Sequence, residues 1–519
     1  MRFVARPTVR SAAALAIATA LATSARPAPA RADAAVDVHA LNQIEYTLRR
    51  DSDEAAAKPR ESLEEWLDLD VHFRRALIGF RYEAFQPPKT KPDSVREGIV
   101  QRYAEFGWER ATLRVGNYYE IFGRGLLFRS YEERSVRVDG NMDGALVTGK
   151  IAGFAGKALT GRIREVEVDE IGRSDVLHGL DIERRVARGT TIGVSALSLA
   201  SRLDDLPGAG GSTRSQHEEA LGARASFSRD RFDAYLEGGR IGRFHRTSLE
   251  AANGVAYGDL RGTGVYGALN LVPIDRVAVT VEYKDYERFR FRPIGAAATA
   301  TNYNNPPAVT RETGYTLLSR HPHVLDPNNE KGFQAEAVIT PSPGSTITLN
   351  RSETDRQDGT LYFHEWYGEY RRPLGERWEA AAVYDFIEDA VTQTENHTPA
   401  VEVEYHPPGE RSVRGELQHQ RTKTQGLGDS RSTFALAELR ANLDLSISVI
   451  GEHASFPDPV TRETDSDNFV YAEVSYHVTP EHFLSITAGK RRAGYICVGG
   501  ICRLEPELNG AEVRFVTSF

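Results

Sequence analysis

Four groups of residues carry side chains that could do chemistry. They are Cys497 with Cys502, His321 with His323, His364 with Glu365, and a charged run of Arg124, Arg129, Glu132, Glu133, Arg134, Arg137 and Asp139. Cys497 and Cys502 bracket Val-Gly-Gly-Ile, and Gly499-Gly500 gives the backbone freedom to close a small ring as a disulfide in an oxidising compartment. As a metal clasp the pair lacks partners. His321-Pro-His323 sets two imidazoles on either side of a proline, but no third ligand follows at a metal-site spacing. His364-Glu365 has no second histidine four residues after the first, there is no G-x-S-x-G elbow, and no C-x-x-C-H for covalent haem. No enzyme and no cofactor are expected from these patterns. What remains is the chemistry of grip, arginine forks and carboxylates arranged to hold or screen charged and hydroxylated molecules.

The elements that must position those charges have period two. Leu67, Leu69, Val71 and Phe73 alternate with Asp68, Asp70, His72 and Arg74; Val277, Val279, Val281 and Tyr283 alternate with Ala278, Thr280, Glu282 and Lys284. Val401, Val403 and Tyr405 alternate with Glu402, Glu404 and His406, and Leu443, Leu445, Ile447 and Val449 with Asp444, Ser446 and Ser448. Helical periodicity is nowhere sustained. Carboxylates and arginines opposite an unbroken aliphatic row suit a wall with lipid on one side and a polar lumen on the other.

Connections between these strands come in two kinds that take turns. Tight turns at Arg74-Arg75, Glu109-Arg110, Pro373 to Gly375, Pro407 to Gly409, Asn442 and Pro480 alternate with longer stretches such as 49–61, 120–141, 287–330 and 494–505. That rhythm predicts an all-β fold, a single up-and-down antiparallel transmembrane β-barrel of about 24 strands, within a range of about 22 to 26. Trp108 and Trp378 fall beside tight turns, where an interfacial aromatic girdle belongs.

Both ends of the chain fit export to an outer membrane. Arg2, Arg6 and Arg10 precede an apolar run and an Ala30-Arg-Ala32 cleavage pattern, so residues 1–32 read as a cleaved signal peptide and 33–519 as the barrel. The last strand, Ala511 to Phe519, places Phe515 and the terminal Phe519 on its apolar face. This ending resembles the C-terminal signal of bacterial outer-membrane barrels, which implies recognition of Phe515 and Phe519 by the barrel-insertion machinery. A mean hydropathy of -0.43 does not oppose a membrane wall, because only alternate residues meet lipid. The net charge of -9 leaves no basic footprint for nucleic acid.

A barrel this wide leaks unless something narrows it. Residues 120–141 are the expected constriction, folded inward. Gly123 and Gly125 break the alternation, Ile121, Phe122, Leu126, Leu127 and Phe128 form an apolar knot, and the charged run follows. Residues 287–330 are expected as a long extracellular loop. Its Arg288, Arg290, Arg292, Asn302, Asn304, Asn305, Arg311 and Glu312 suit contact with a ligand or with lipopolysaccharide, or simple solvation.

Tyr118-Tyr-Glu-Ile-Phe-Gly-Arg-Gly-Leu-Leu, Asn305-Pro-Pro-Ala-Val-Thr-Arg-Glu with Ser319-Arg-His-Pro-His323, and Cys497-Val-Gly-Gly-Ile-Cys502-Arg resemble segments of an uncharacterised family of bacterial outer-membrane β-barrel proteins. The resemblance spans most of the mature chain. It implies a Gram-negative outer-membrane location and a porin-like barrel among outer-membrane lipids, and no substrate. Three functions compete on these grounds. They are a channel for small hydrophilic solutes, a plugged barrel serving as surface receptor or scaffold, and a sheath for a periplasmic partner.

Overall fold

Alternating residues bury one face only if the sheet has somewhere to put it, and here the sheet closes on itself. Strand Val36–Arg49 pairs on one edge with Glu61–Phe73 and on the other with Leu508–Ser518, so 24 antiparallel strands form one ring. Closure satisfies every edge, the condition for a sheet to cross a bilayer. The computed structural model describes residues 36–50, 60–86, 97–163, 173–203, 214–243, 261–292, 302–321, 323–457, 464–498 and 501–519. The signal-peptide segment 1–32 lies outside the described residues. No described helix is long and apolar enough to cross a membrane; the crossing is made by strands.

The register follows the sequence pattern. In Val277–Glu287, Tyr283 is 45% exposed on the outer face whereas its neighbour Lys284 is 0% exposed on the inner one, which puts Val277, Val279 and Val281 toward lipid. Val401, Leu417 and Val449 are likewise exposed outside, and Glu402 is buried inside. Leu443 departs from its expected place: it lies in the turn before Leu445–Pro457, so only Leu445 and Ile447 of that trio belong to the wall. Asn442 causes the difference, because its side-chain carbonyl accepts the N–H groups of Asp444 and Leu445 and holds the chain in a turn. Replacing Val279 by Arg should cost about 2–4 kcal/mol of barrel stability, measured by reversible unfolding in lipid. An unchanged midpoint would put Val279 off the lipid face.

Aromatic residues mark the tight-turn end. Trp108 meets Phe106 edge-on with ring centres 4.7 Å apart, and Trp378 lies tilted against Tyr405 at 4.5 Å, all near the turns that face the periplasm in a barrel of this kind.

The loops depart from expectation more than the wall does. Residues 120–141 bury Phe122 and Phe128 and carry two small ribbons, Glu120–Phe122 with Phe128–Ser130 and Glu132–Glu133 with Val138–Asp139. The connection 287–330 leaves the wall on the extracellular side, yet its described residues are not a solvated outer loop. Phe289, Phe291, Tyr303, Asn304 and Leu317 are each 0% exposed. Apolar side chains of that size find a better environment on the inner wall than in water. A third segment, 492–507, forms the ribbon Gly494–Val498 with Ile501–Glu505, which touches the short 3-10 turns Arg134–Val136 and Leu318–Arg320 of the other two loops. Three loops therefore meet in the lumen where one was expected.

Candidate functional site

The knot of the first loop is seated in a dent that glycines make. A side chain at Gly222 would meet Leu127 Cδ1 at 2.6 Å, and one at Gly239 would meet Leu127 Cδ2 at 2.8 Å. Phe289 of the second loop fills the neighbouring dent at Gly264 in the same way. Phe122, Leu126, Leu127 and Phe128 join Tyr118, Tyr266, Tyr286, Phe289, Phe291 and Tyr303 in one buried cluster against the strands from Met142 to Glu287. Asn304 ties the loops together: its Oδ1 accepts the Phe291 N–H at 2.8 Å, and its Nδ2 donates to the carbonyls of Phe289 at 2.7 Å and Leu126 at 3.2 Å.

The charged residues expected to form a constriction divide between two sides of the barrel. Arg124 lies with the knot, its N–H donating to Glu237 at 3.0 Å and its guanidinium to the Tyr266 hydroxyl at 3.2 Å, over the Tyr235 ring. Arg129 stacks on Tyr131 at 4.3 Å, while its backbone bonds Tyr303 and Asn305 of the second loop. The rest reach a separate group of strands near the start of the chain. Glu132 accepts from Arg81 at 2.6 Å and pairs with Arg134, which donates to Asp68 at 2.9 Å; Arg137 pairs with Glu64 at 3.2 Å. Asp139 accepts the Tyr119 hydroxyl at 2.7 Å and Asn141 Nδ2 at 2.7 Å. Glu133 stays local, capping Ser135. These groups anchor the loop to strands Glu61–Phe73, Ala76–Gln86 and Gly98–Gly107 rather than forming one ring.

The second loop crosses the lumen and is fastened at both ends. Near its return, Lys284 donates to Glu330 at 3.1 Å and to the Ala308 carbonyl at 2.5 Å, and Glu330 also bonds His323 at 2.6 Å; all three side chains are buried. A buried pair of this kind is costly to break by removing one partner. At the far side, the Leu317 N–H donates to Gln418 at 2.8 Å. Glu452 receives both Arg320, through Nη2 at 2.6 Å, and Arg492 of the third loop at 2.8 Å. His321 bonds Gln420 and His323 bonds Glu330, so the two histidines serve different walls. No described group of His, Cys, Asp and Glu could hold a metal ion.

Burial lowers the pKa of both His321 and His323, which favours neutral rings. A loosened loop therefore binds protons that the seated loop does not, and its seating should lose stability as pH falls below the ordinary imidazole value of about 6.5. Limited proteolysis should then cut the 302–328 region faster at pH 5 than at pH 7.5. Equal rates would mean these rings do not gate the loop.

Glu452, Arg492 and the wall glycines were not singled out by the sequence. Cys497 and Cys502 stand directly opposite in their ribbon, and their side chains lie outside the described residues.

Among solved structures, the chain is similar to three barrels at low identity. They are the siderophore receptor PirA from Acinetobacter baumannii (9% identity, 93% of this chain and 80% of that one, TM-score 0.46), the P pilus usher PapC translocation pore (12%, 93% and 99%, 0.43) and Pseudomonas aeruginosa OccK7 (10%, 93% and 97%, 0.37). Similarity at that level assigns no cargo to this barrel. A search of curated proteins finds no matching relative. The closed 24-stranded wall with its apolar outer band makes the chain an integral outer-membrane protein, and with a family model matching residues 12–519 it belongs to the family of unknown function DUF6029.

Proposed function

We propose that this barrel is a porin-like channel admitting small hydrophilic solutes past a constriction built by the three inward loops. The observation that carries the reading is the inner wall away from the loops' anchors. Arg371, paired with Glu369, Glu379 and Glu402, keeps 30% of its side chain exposed, and Arg414, paired with Glu402 and Glu438, keeps 33%. Wet, charged side chains facing inward line an aqueous path of the kind that selects small polar solutes. In this reading the run from Arg124 to Asp139 sets the width of the path by holding the first loop across the barrel. A Cys497–Cys502 disulfide stiffens the third loop where it touches the other two; opposed positions of an antiparallel ribbon suit the Cα separation a disulfide needs.

Single-channel recording in planar bilayers tests the proposal. Wild-type protein should give discrete steps, small for a barrel of this strand number. Absence of conductance at all voltages would overturn it in favour of a plugged receptor, a scaffold or a sheath for a periplasmic partner. Reduction with dithiothreitol should increase current noise; unchanged noise in a protein shown by mass to be reduced would remove the stiffening role.

A further inference from the structure

We propose that the outer wall carries a binding site for the phosphate of an outer-leaflet lipid, built by His419, Arg421, Arg431 and His453. These residues lie on three adjacent strands, Ser412–Thr424, Gly428–Arg440 and Leu445–Pro457. Directly opposed residues of antiparallel strands point to the same side. Leu417 and Val449 are 50% and 53% exposed on the lipid face, so His419 and Arg421, two and four residues beyond Leu417, and His453, four beyond Val449, share that face. Arg421 stands opposite Arg431; one row nearer the membrane, His419 and His453 both stand opposite Thr433.

Two arginines directly opposite each other repel unless an anion lies between them. Arg421 donates to Asp429 through Nε at 3.0 Å and through Nη2 at 2.5 Å, which leaves Nη1 for another acceptor. Arg431 has no side-chain hydrogen bond or ion pair among the described residues, and it is exposed. His419 and His453 use Nδ1 on neighbouring strands, with Thr433 and Asn468 at 2.9 Å each, which leaves Nε2 available to a ligand. The titratable groups facing this patch from the adjoining rows are Glu388, Glu395, Lys423, Asp429 and His397, which stands opposite Arg421 and is held by the Tyr384 hydroxyl at 2.8 Å and by Glu395 at 3.4 Å. Lys423 pairs with Glu395 at 3.5 Å, and Asp429 is taken by Arg421.

Position selects the occupant. The patch is at the end of these strands away from the tight turns at 406–411 and 441–444, hence on the extracellular side, and immediately above the exposed aliphatic rows of Val401, Leu417 and Val449. A headgroup phosphate between the two arginines would lay its acyl chains on that apron. A free anion has no use for it.

The test uses the full barrel purified in non-ionic detergent, with fluorescent lipopolysaccharide as probe, enzymatically dephosphorylated lipopolysaccharide as second probe, and inorganic phosphate as competitor. R421Q/R431Q should weaken lipopolysaccharide binding at least about tenfold, H419N/H453N should weaken it less, and Arg240→Gln, on a distant strand, should leave it unchanged. The dephosphorylated probe should bind wild type as weakly as the intact one binds the double arginine variant. Heat-modifiable migration confirms that each variant is folded. Unchanged affinity in R421Q/R431Q, or an equal loss in Arg240→Gln, overturns the site. Displacement by millimolar inorganic phosphate overturns its assignment to lipid.

Discussion

Deleting Gly125 to Val138 should raise single-channel conductance severalfold and sensitise cells to bulky antibiotics. The deleted stretch holds Leu126, Leu127 and Phe128, each at most 1% exposed, and the anchors Glu132, Arg134 and Arg137, which reach Arg81, Asp68 and Glu64 on other strands. Without them the dents at Gly222 and Gly239 face water, and the first loop no longer spans the lumen. The second loop also loses support, because Leu126 and Arg129 supply carbonyls to Asn304 and Asn305. Leu127→Asp is the milder version: a carboxylate pressed into a glycine dent without a partner is strongly unfavourable, so the knot should lift while the wall stays intact. If the deletion variant inserts normally but conducts and admits antibiotics as wild type does, the loop is no constriction, and the receptor or scaffold reading becomes the better one.

The wall was legible because its pattern is local. Val277 to Tyr283 announce their faces without knowing their neighbours, since the outer partner of every strand is lipid and the inner one is polar. Leu443 shows the limit of that logic, for its alternation runs past the turn that Asn442 imposes. The loops were harder for a physical reason. Residues 287–330 read as polar and solvated, but their fate is set by Gly264, Gln418 and Glu452, which belong to separate strands and come together only when the barrel closes. The same holds for the run from Arg124 to Asp139. Its charges could be named from the sequence, whereas their division between Glu237 on one side and Glu64, Asp68 and Arg81 on the other depends on which strands the loop spans.

Buried ion pairs of this kind fix position more than they add stability, because removing two charges from water costs much of what their attraction returns. Their value here is that a loop held by Glu452 and by the Lys284–Glu330 pair has one resting place. The apolar knot supplies the complementary part. It contributes on the order of 25 cal/mol for each Å² of apolar area it removes from water, without specifying direction.

Removing Phe519, or replacing it with Asp, should leave the chain in the periplasm and open to protease. The folded barrel gives the residue little thermodynamic weight. Phe519 is 52% exposed, and its contribution to the seam is a pair of backbone bonds with Ala40, at 2.7 and 3.0 Å. The register from Leu41 opposite Ser518 to Arg49 opposite Gly510, with Phe515 between Ile44 and Leu484, remains without it. A small effect on stability joined to a large effect on localisation is what an assembly signal predicts, and the two separate by experiment. Purified variant refolded in detergent should reach the heat-modifiable form with near wild-type yield, while the same variant expressed in cells should not. If it inserts normally in cells, Phe519 is not the recognised residue. If it fails to refold in detergent as well, the terminal aromatic closes the barrel rather than delivering it, and the outward side chain of Phe515 becomes the next position to examine.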